Sequence, residues 1–199
     1  MPHLSLTDFV DVVSASGTPK ATKIRQVKTR PTYSPAIDFW KPLREAIMET
    51  HTRGLPKGNL DLVLAGLTDR KKLTAYPPAI AGYKKWWGRS ALQWFAPPSA
   101  LYTAYGVDVS VNPELGLRVN GVPHIIKLYF KETTLTKNRV DIITYLMTAQ
   151  LTQGVPGGCA MAVLDVRRGH LIVPAGAPPD LSAVLDAELA YVAALWPRL

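Results

Sequence analysis

The chain of 199 residues holds a single cysteine, Cys159, so no internal disulfide can brace it and the fold must rest on packing. Between Gly158 and Ala160, at the start of a strand pattern, that thiol reads as a small buried side chain rather than a nucleophile. The histidines His3, His51, His124 and His170 are scattered without the paired spacing of a zinc site. There is no apolar run long enough to span a bilayer, and no basic-then-apolar leader ending in a small-residue cleavage site. The expectation is therefore a cytoplasmic protein with no membrane partner. Gln153 to Gly158 is a Gly/Pro turn without the Gly-Lys-Ser/Thr signature of a phosphate loop, which argues against a nucleotide triphosphatase. Internal repeats and low-complexity tracts are missing as well.

What the chain does have is apolar content and positive charge. Apolar residues make up 47% of it, enough at this length to bury a continuous core. The net charge of +8 is unevenly spread. From Lys20 to Arg89 there are 15 Lys and Arg against five acids, a net of +10, whereas residues 90 to 199 balance eight against eight. Helical and strand patterns are segregated rather than alternating, which predicts an α+β fold: a basic, helical subdomain over 1–95 and a sheet-containing core with a C-terminal helix over 96–199.

In the first half, Leu6, Phe9, Val10 and Val13 give Leu4 to Val13 an apolar helical stripe, broken at Gly17-Thr18-Pro19. A basic stretch follows, with Lys20, Lys23, Arg25, Lys28 and Arg30 around Ile24 and Val27. Helix, short turn and basic helix is the outline of a helix-turn-helix. Farther on, Gly54 to Asn59 reads as a loop, Leu60 to Leu67 as a short helix, and Tyr76-Pro77-Pro78 as a break before a helix from Ile80 to Trp87. Lys84, Lys85 and Arg89 interleave with Tyr83, Trp86 and Trp87, the pairing that lets a protein hold phosphates while bases stack on rings. Tyr83 and Trp87 also lie four apart, so they can instead share one buried helix face. On one electropositive surface, Lys20, Lys23, Arg25, Lys28, Lys84, Lys85 and Arg89 would bind DNA or RNA.

In the second half, Asn120-Gly121 between two alternating apolar runs predicts a β-hairpin, because a type I′ turn needs positive φ at both central residues. The register follows: Val119 faces Val122, Leu117 faces His124, Leu115 faces Ile126, and Glu114 faces Lys127. Ile126, Leu128 and Phe130 then point to one side, and Lys127, Tyr129 and Lys131 to the other beside Glu114. Val107 to Val111 is a preceding strand that ends at Asn112-Pro113. Leu135 to Met147 has helical spacing, giving a helix over 135–151. Cys159 to Val173 reads as a second hairpin turning at Arg168-Gly169. A last helix opens at Asp180 or Ser182 and buries Val184, Leu185, Leu189, Val192 and Leu195. Residues 99–173 are expected to form one mixed or antiparallel sheet.

An antiparallel three-stranded unit with Pro113-Glu114 opening its second strand and Lys131 closing its third, followed by a helix and another strand, resembles the PD-(D/E)xK nuclease superfamily, the restriction-endonuclease-like fold. The resemblance covers roughly Ser99 to Val173. It implies a catalytic face of Glu114, Lys131 and the position of Tyr129, with Mg²⁺ held by carboxylates while the lysine positions the attacking water. The motif is degenerate, since the position two before the lysine, an acid in the family, is Tyr129, and a phenol is a poor Mg²⁺ ligand. Asp108, Glu45 or Glu49 would have to join Glu114 at the metal.

Two functional classes follow: a nucleic-acid-binding protein on a degenerate nuclease-like core, or a non-catalytic protein-interaction module or homodimer. In the second, Glu114, Lys127 and Lys131 are a cross-strand ion pair and a solvated edge, worth about 0–1 kcal/mol.

Overall fold

The computed structural model describes residues 1–30 and 38–199. In chain order the elements are β1 (His3–Ser5), α1 (Leu6–Val13), α2 (Gly17–Lys28), α3 (Lys41–Thr52), a 3-10 segment (Lys57–Leu64), α4 (Arg70–Trp87) and β2 (Leu92–Phe95). They continue with β3 (Ala100–Ala104), β4 (Val107–Val111), β5 (Leu115–Val119), β6 (Val122–Tyr129), α5 (Lys137–Leu151), β7 (Ala160–Asp165), β8 (His170–Ile172) and α6 (Leu181–Leu195). The fold is α+β, with a mainly helical N-terminal half followed by a sheet core. No helix among the described residues is long and apolar enough to cross a membrane.

The larger sheet has the order β2-β5-β6-β7-β8. β2, β5 and β6 are antiparallel neighbours, β7 runs parallel to β6, and β8 returns antiparallel. The β5–β6 register is Leu115 to Ile126, Leu117 to His124 and Val119 to Val122, as the Asn-Gly turn requires, with φ of 50° at Asn120 and 90° at Gly121. The turn is tied to β2, because the Ala91 amide donates to Asn120 Oδ1 and the Asn120 amide to the Ala91 carbonyl, both at 2.9 Å.

Strand alternation divides the interior into two apolar layers. Ile125, Tyr129, Met161 and Val163 face one side, where α1, α2, α5 and α6 pack; Ile126, Leu128, Ala162 and Leu164 face the other, against α3, the 3-10 segment and α4. Helices from the first half thus cover both sheet faces, and the expected subdomains 1–95 and 96–199 share both layers. α2 and α4, which carry the two basic clusters, lie on opposite faces rather than on one surface.

Several local expectations are corrected. Residues 99–173 do not form one sheet: β4 pairs with β3 and, in parallel, with β1, making a separate sheet of order β1-β4-β3. Pro113, which has no amide to donate, interrupts the ladder between β4 and β5, and the free edge of β5 is taken by β2. Leu4 accordingly belongs to a strand, and α1 starts only at Leu6, with the Ser5 hydroxyl accepting from the Asp8 amide as its N-cap. Pro77 and Pro78 do not break α4. Their rings lie on the exposed side, where water can serve the carbonyls they leave unbonded, while Tyr76, Ala79, Ile80 and Tyr83 form the buried stripe. The cost of about 3 kcal/mol per interior proline is offset by about 1.5–3 kcal/mol from each large buried side chain. In α6, Val184 is exposed and Leu181 takes its place in the core. α4 approaches the β7–β8 hairpin at Gly82, where a Cβ would stand 2.1 Å from the Val166 carbonyl oxygen, so only glycine fits.

The Tyr83 hydroxyl and His51 Nε2 hydrogen-bond at 2.5 Å, and the His51 ring lies 4.6 Å from that of Trp87. Burial pushes the His51 pKa down to about 4 and the Tyr83 phenol well up. An unfolded histidine takes its proton near pH 6.5, so the folded state binds fewer protons between the two values and stability falls with acidification. Urea denaturation should show stability fully present above about pH 6.5 and declining toward about pH 4. The loss should amount to at most about 3 kcal/mol. His51→Gln should be less stable at neutral pH and lose this part of the pH dependence.

Candidate functional site

The hairpin register sets Glu114, the residue preceding β5, across from Lys127 on β6. Glu114 Oε1 accepts from Lys127 Nζ at 2.6 Å, and Oε2 accepts from the Leu128 amide at 2.8 Å. Lys127 Nζ also donates to the Asn112 carbonyl at 2.9 Å. The two side chains are only 12% and 10% exposed, so this is a buried ion pair and not a solvated edge. Breaking such a pair costs far more than the pair itself contributes, because one charge is left without its partner in a medium that cannot solvate it.

Lys131 lies just beyond the end of β6 and donates to Asp11 Oδ2 on α1, while Arg139 Nη1 from the first turn of α5 donates to Asp11 Oδ1 at 2.7 Å. Burial alone would raise the Asp11 pKa, but hydrogen bonds from Lys131 and Arg139, together with their charges, hold it below the usual carboxylate value. One turn earlier on α1, Asp8 receives both Nη atoms of Arg30, at 2.8 and 3.1 Å. Arg44 of α3 bonds Asp38 at 2.7 Å.

These groups converge on one groove of about 800 Å³ between the β5–β6 hairpin, α1 and the start of α5. Leu6, Val10, Trp40, Leu128, Phe130 and Ile143 supply its apolar lining. Five cationic side chains, Arg30, Arg44, Lys127, Lys131 and Arg139, line it with three carboxylates, Asp8, Asp38 and Glu114. Trp40 is stacked between Phe130 and Tyr76, at 4.9 and 5.4 Å, so neither ring face is open to a ligand.

The site residues read from sequence are thus partly brought together. Glu114, Tyr129 and Lys131 share the groove. The Tyr129 hydroxyl, however, turns to Thr133, donating to its carbonyl at 2.9 Å. Asp108 does not line the groove and instead accepts from the Thr103 hydroxyl at 2.7 Å. Glu45 and Glu49 form ion pairs with Lys41 and Arg53 along α3, outside the groove.

This donor set does not fit Mg²⁺, which demands several oxygen ligands in near-octahedral array. Both Glu114 oxygens are committed, and the Lys127 ammonium already sits where a carboxylate and a backbone carbonyl converge. Among the described residues no three His, Cys, Asp or Glu side chains are grouped to hold a metal.

Of the basic residues, Lys20 pairs with Glu188 at 2.5 Å and Lys28 donates to the Trp196 carbonyl at 2.8 Å, both holding α2 against the C-terminal helix. Lys84 pairs with Asp61 at 2.5 Å. Arg25, Lys85 and Arg89 are exposed, and Lys23 is half-buried. The rings of Tyr83 and Trp87 pack edge-to-face, 6.4 Å apart, as their spacing on one helix face allows. Asp8, Asp11, Arg44 and Arg139 were not legible as site residues. A usable signal exists for two of them, since Asp8 and Asp11 are the only acids in the first 37 residues and lie three apart on an amphipathic helix.

Comparison of the chain with protein-family models, curated proteins and solved structures returns no match.

The buried pair predicts a specific pattern of stability. Glu114→Ala, which leaves Lys127 and the Leu128 amide without their acceptor, should destabilise the protein by about 3–5 kcal/mol. The double substitution Glu114→Leu with Lys127→Met should recover most of that loss. Chemical denaturation of the wild type, both single variants and the double variant measures the coupling.

Proposed function

We propose that the groove binds the sugar-phosphate backbone of DNA or RNA, on a nuclease-like core in which Lys127 has taken the place of a catalytic cation. The single observation that carries this reading is the convergence of five cations, from separate segments, on a groove lined by three carboxylates. An apolar lining strengthens each of those charges toward a phosphate by lowering the local dielectric. The ion pairs keep the cations ordered while the groove is empty, and an entering phosphate replaces the carboxylate as acceptor. Beyond Arg30, the exposed Arg25 and Lys28 extend positive charge along α2.

The strand arrangement supports the same reading. β2, β5 and β6 form an antiparallel unit with Pro113-Glu114 before its second strand and Lys131 after its third, and α5 then leads to β7, parallel to β6. The resemblance to PD-(D/E)xK nucleases takes Val107–Val111 as the first strand of that unit, but this segment, β4, lies in the other sheet, and β2 pairs with β5 in its place. Glu114 and Lys131 stand at one end of the sheet, as in that family, but the second acid is missing and an ammonium is bound to the first. Binding without metal-dependent cleavage is the activity this chemistry suits, and the cytoplasm is the compartment we assign to it.

Fluorescence anisotropy with single- and double-stranded DNA and RNA, repeated over a range of salt, is the test. Neutralising phosphates releases counterions, so affinity should fall steeply with salt, and by a slope of about 0.9 per phosphate contact on duplex DNA. Replacing Asp11, Lys131 and Arg139 by Asn, Gln and Gln keeps all three positions polar and removes two cations together with the carboxylate that holds them. It should weaken binding about tenfold or more and flatten the slope, whereas Lys85→Gln with Arg89→Gln, at the end of α4 and outside the groove, should change affinity less than twofold. Absence of binding at low salt contradicts the proposal. Loss confined to the Lys85/Arg89 variant moves the site to α4, and cleavage in Mg²⁺ that Glu114→Ala abolishes restores a catalytic role.

A further inference from the structure

Helix α4 carries five cations, Arg70, Lys71, Lys72, Lys84 and Lys85, and no acid, and Arg89 follows just beyond its end. Asp69, the one acid in the sequence between Asp61 and Asp108, is engaged as the N-cap and accepts from the Lys71 and Lys72 amides at 2.8 and 3.4 Å. Three cations in a first turn oppose the helix dipole, whose N-terminal end is already positive, so they do not serve the helix itself. Lys84 pairs with Asp61. Arg70, Lys71, Lys85 and Arg89 are exposed and have no ion pair among the described residues.

Arg70 and Lys85 stand about 22 Å apart along the helix, and the outer side between them is uncharged. Thr74, Pro77, Pro78 and Ala81 are exposed there, and Leu73 is 44% exposed on the flank. Leu73, Pro77 and Lys84 fall at i, i+4 and i+11, one line along α4. Lys84 reaches Asp61, the neighbour of Leu62, which is 66% exposed on the 3-10 segment. Apolar side chains thus lie between and beside two cationic ends.

We infer that this face of α4, together with Leu62, docks peripherally on an anionic lipid surface, with the helix lying in the plane of the leaflet. The cationic ends meet the headgroup charges, and the leucines and prolines reach the acyl boundary between them. The backbone of a nucleic acid would engage the cations alone and leave Leu62 and Leu73 in water. Docking of this kind needs no spanning helix, and α4 lines no part of the groove, so the two surfaces are separate.

Co-sedimentation with vesicles of phosphatidylcholine, alone or with about 30% phosphatidylserine, is the test. The mixed vesicles should retain the protein at least tenfold more strongly than the neutral ones, and raised salt should weaken that binding. Replacing Arg70, Lys71, Lys85 and Arg89 by Gln should lower partitioning at least tenfold, because each cation near such a leaflet is worth about fivefold. Leu62→Ser with Leu73→Ser leaves the charge intact and should lower partitioning about threefold or more. All six positions are exposed, so both variants keep the fold, which circular dichroism checks. Arg118→Gln with Arg198→Gln removes two cations elsewhere and should change partitioning less than twofold. Equal retention on the two vesicles, undiminished binding in the serine variant, or a loss in the Arg118/Arg198 variant as large as in the α4 variant overturns the inference. So does an α4 variant that loses affinity for DNA or RNA while its vesicle binding persists, since this face is then a nucleic-acid surface.

Discussion

A buried carboxylate must find its counter-charge inside the protein, and at Glu114 that requirement organises the site. An isolated charge in a low-dielectric interior is so costly that the group would sooner neutralise than ionise. Lys127 supplies the partner, and the Leu128 amide and Asn112 carbonyl complete the hydrogen bonds. The consequence is chemical as much as structural. With the Lys127 ammonium on one Glu114 oxygen and the Leu128 amide on the other, a hard cation approaching this carboxylate would have to stand beside or displace a positive charge. Around it the groove repeats one device, a carboxylate of α1 or of the start of α3 holding arginine or lysine side chains in place.

The position of these pairs follows from the sheet. With β5 antiparallel to β6, the start of one strand lies beside the end of the other, so Glu114, Lys127 and Lys131 gather at one edge. β7 parallel to β6 requires a crossover, and α5 provides it, bringing Arg139 to that same edge. β1 then pairs with β4 and holds α1 over the groove, which gives Asp8 and Asp11 their places. Removing any one of these three topological facts scatters the charges.

Short-range signals made much of this legible in the sequence. The Asn120-Gly121 turn set the register of β5 and β6 and therefore the Glu114–Lys127 contact, because two-residue turns leave no freedom of pairing. The turn at Arg168-Gly169 and the helices α5 and α6 were equally local. What stayed hidden depends on distance along the chain. A three-residue strand at His3–Ser5 carries no periodicity of its own and acquires strand geometry only by pairing with Asp108–Ser110. β2 is four residues long and follows a helix rich in tryptophan. The uninterrupted α4 could not be read through Pro77-Pro78, because the side on which the rings face is a tertiary fact. Within the site, Lys131 was visible but its partner Asp11, 120 residues earlier, was not.

The central claim is that Lys127 occupies the position of a cation at Glu114, and paramagnetic relaxation by Mn²⁺ addresses it most directly. In the wild type, Mn²⁺ should broaden amide resonances at Asn112, Glu114 and Leu128 no more than those of any exposed carboxylate, while in Lys127→Ala broadening should centre on these three residues. Selective broadening at Glu114 and Asn112 in the wild type would contradict the account, since it would mean that a metal ion can claim those oxygens from Lys127.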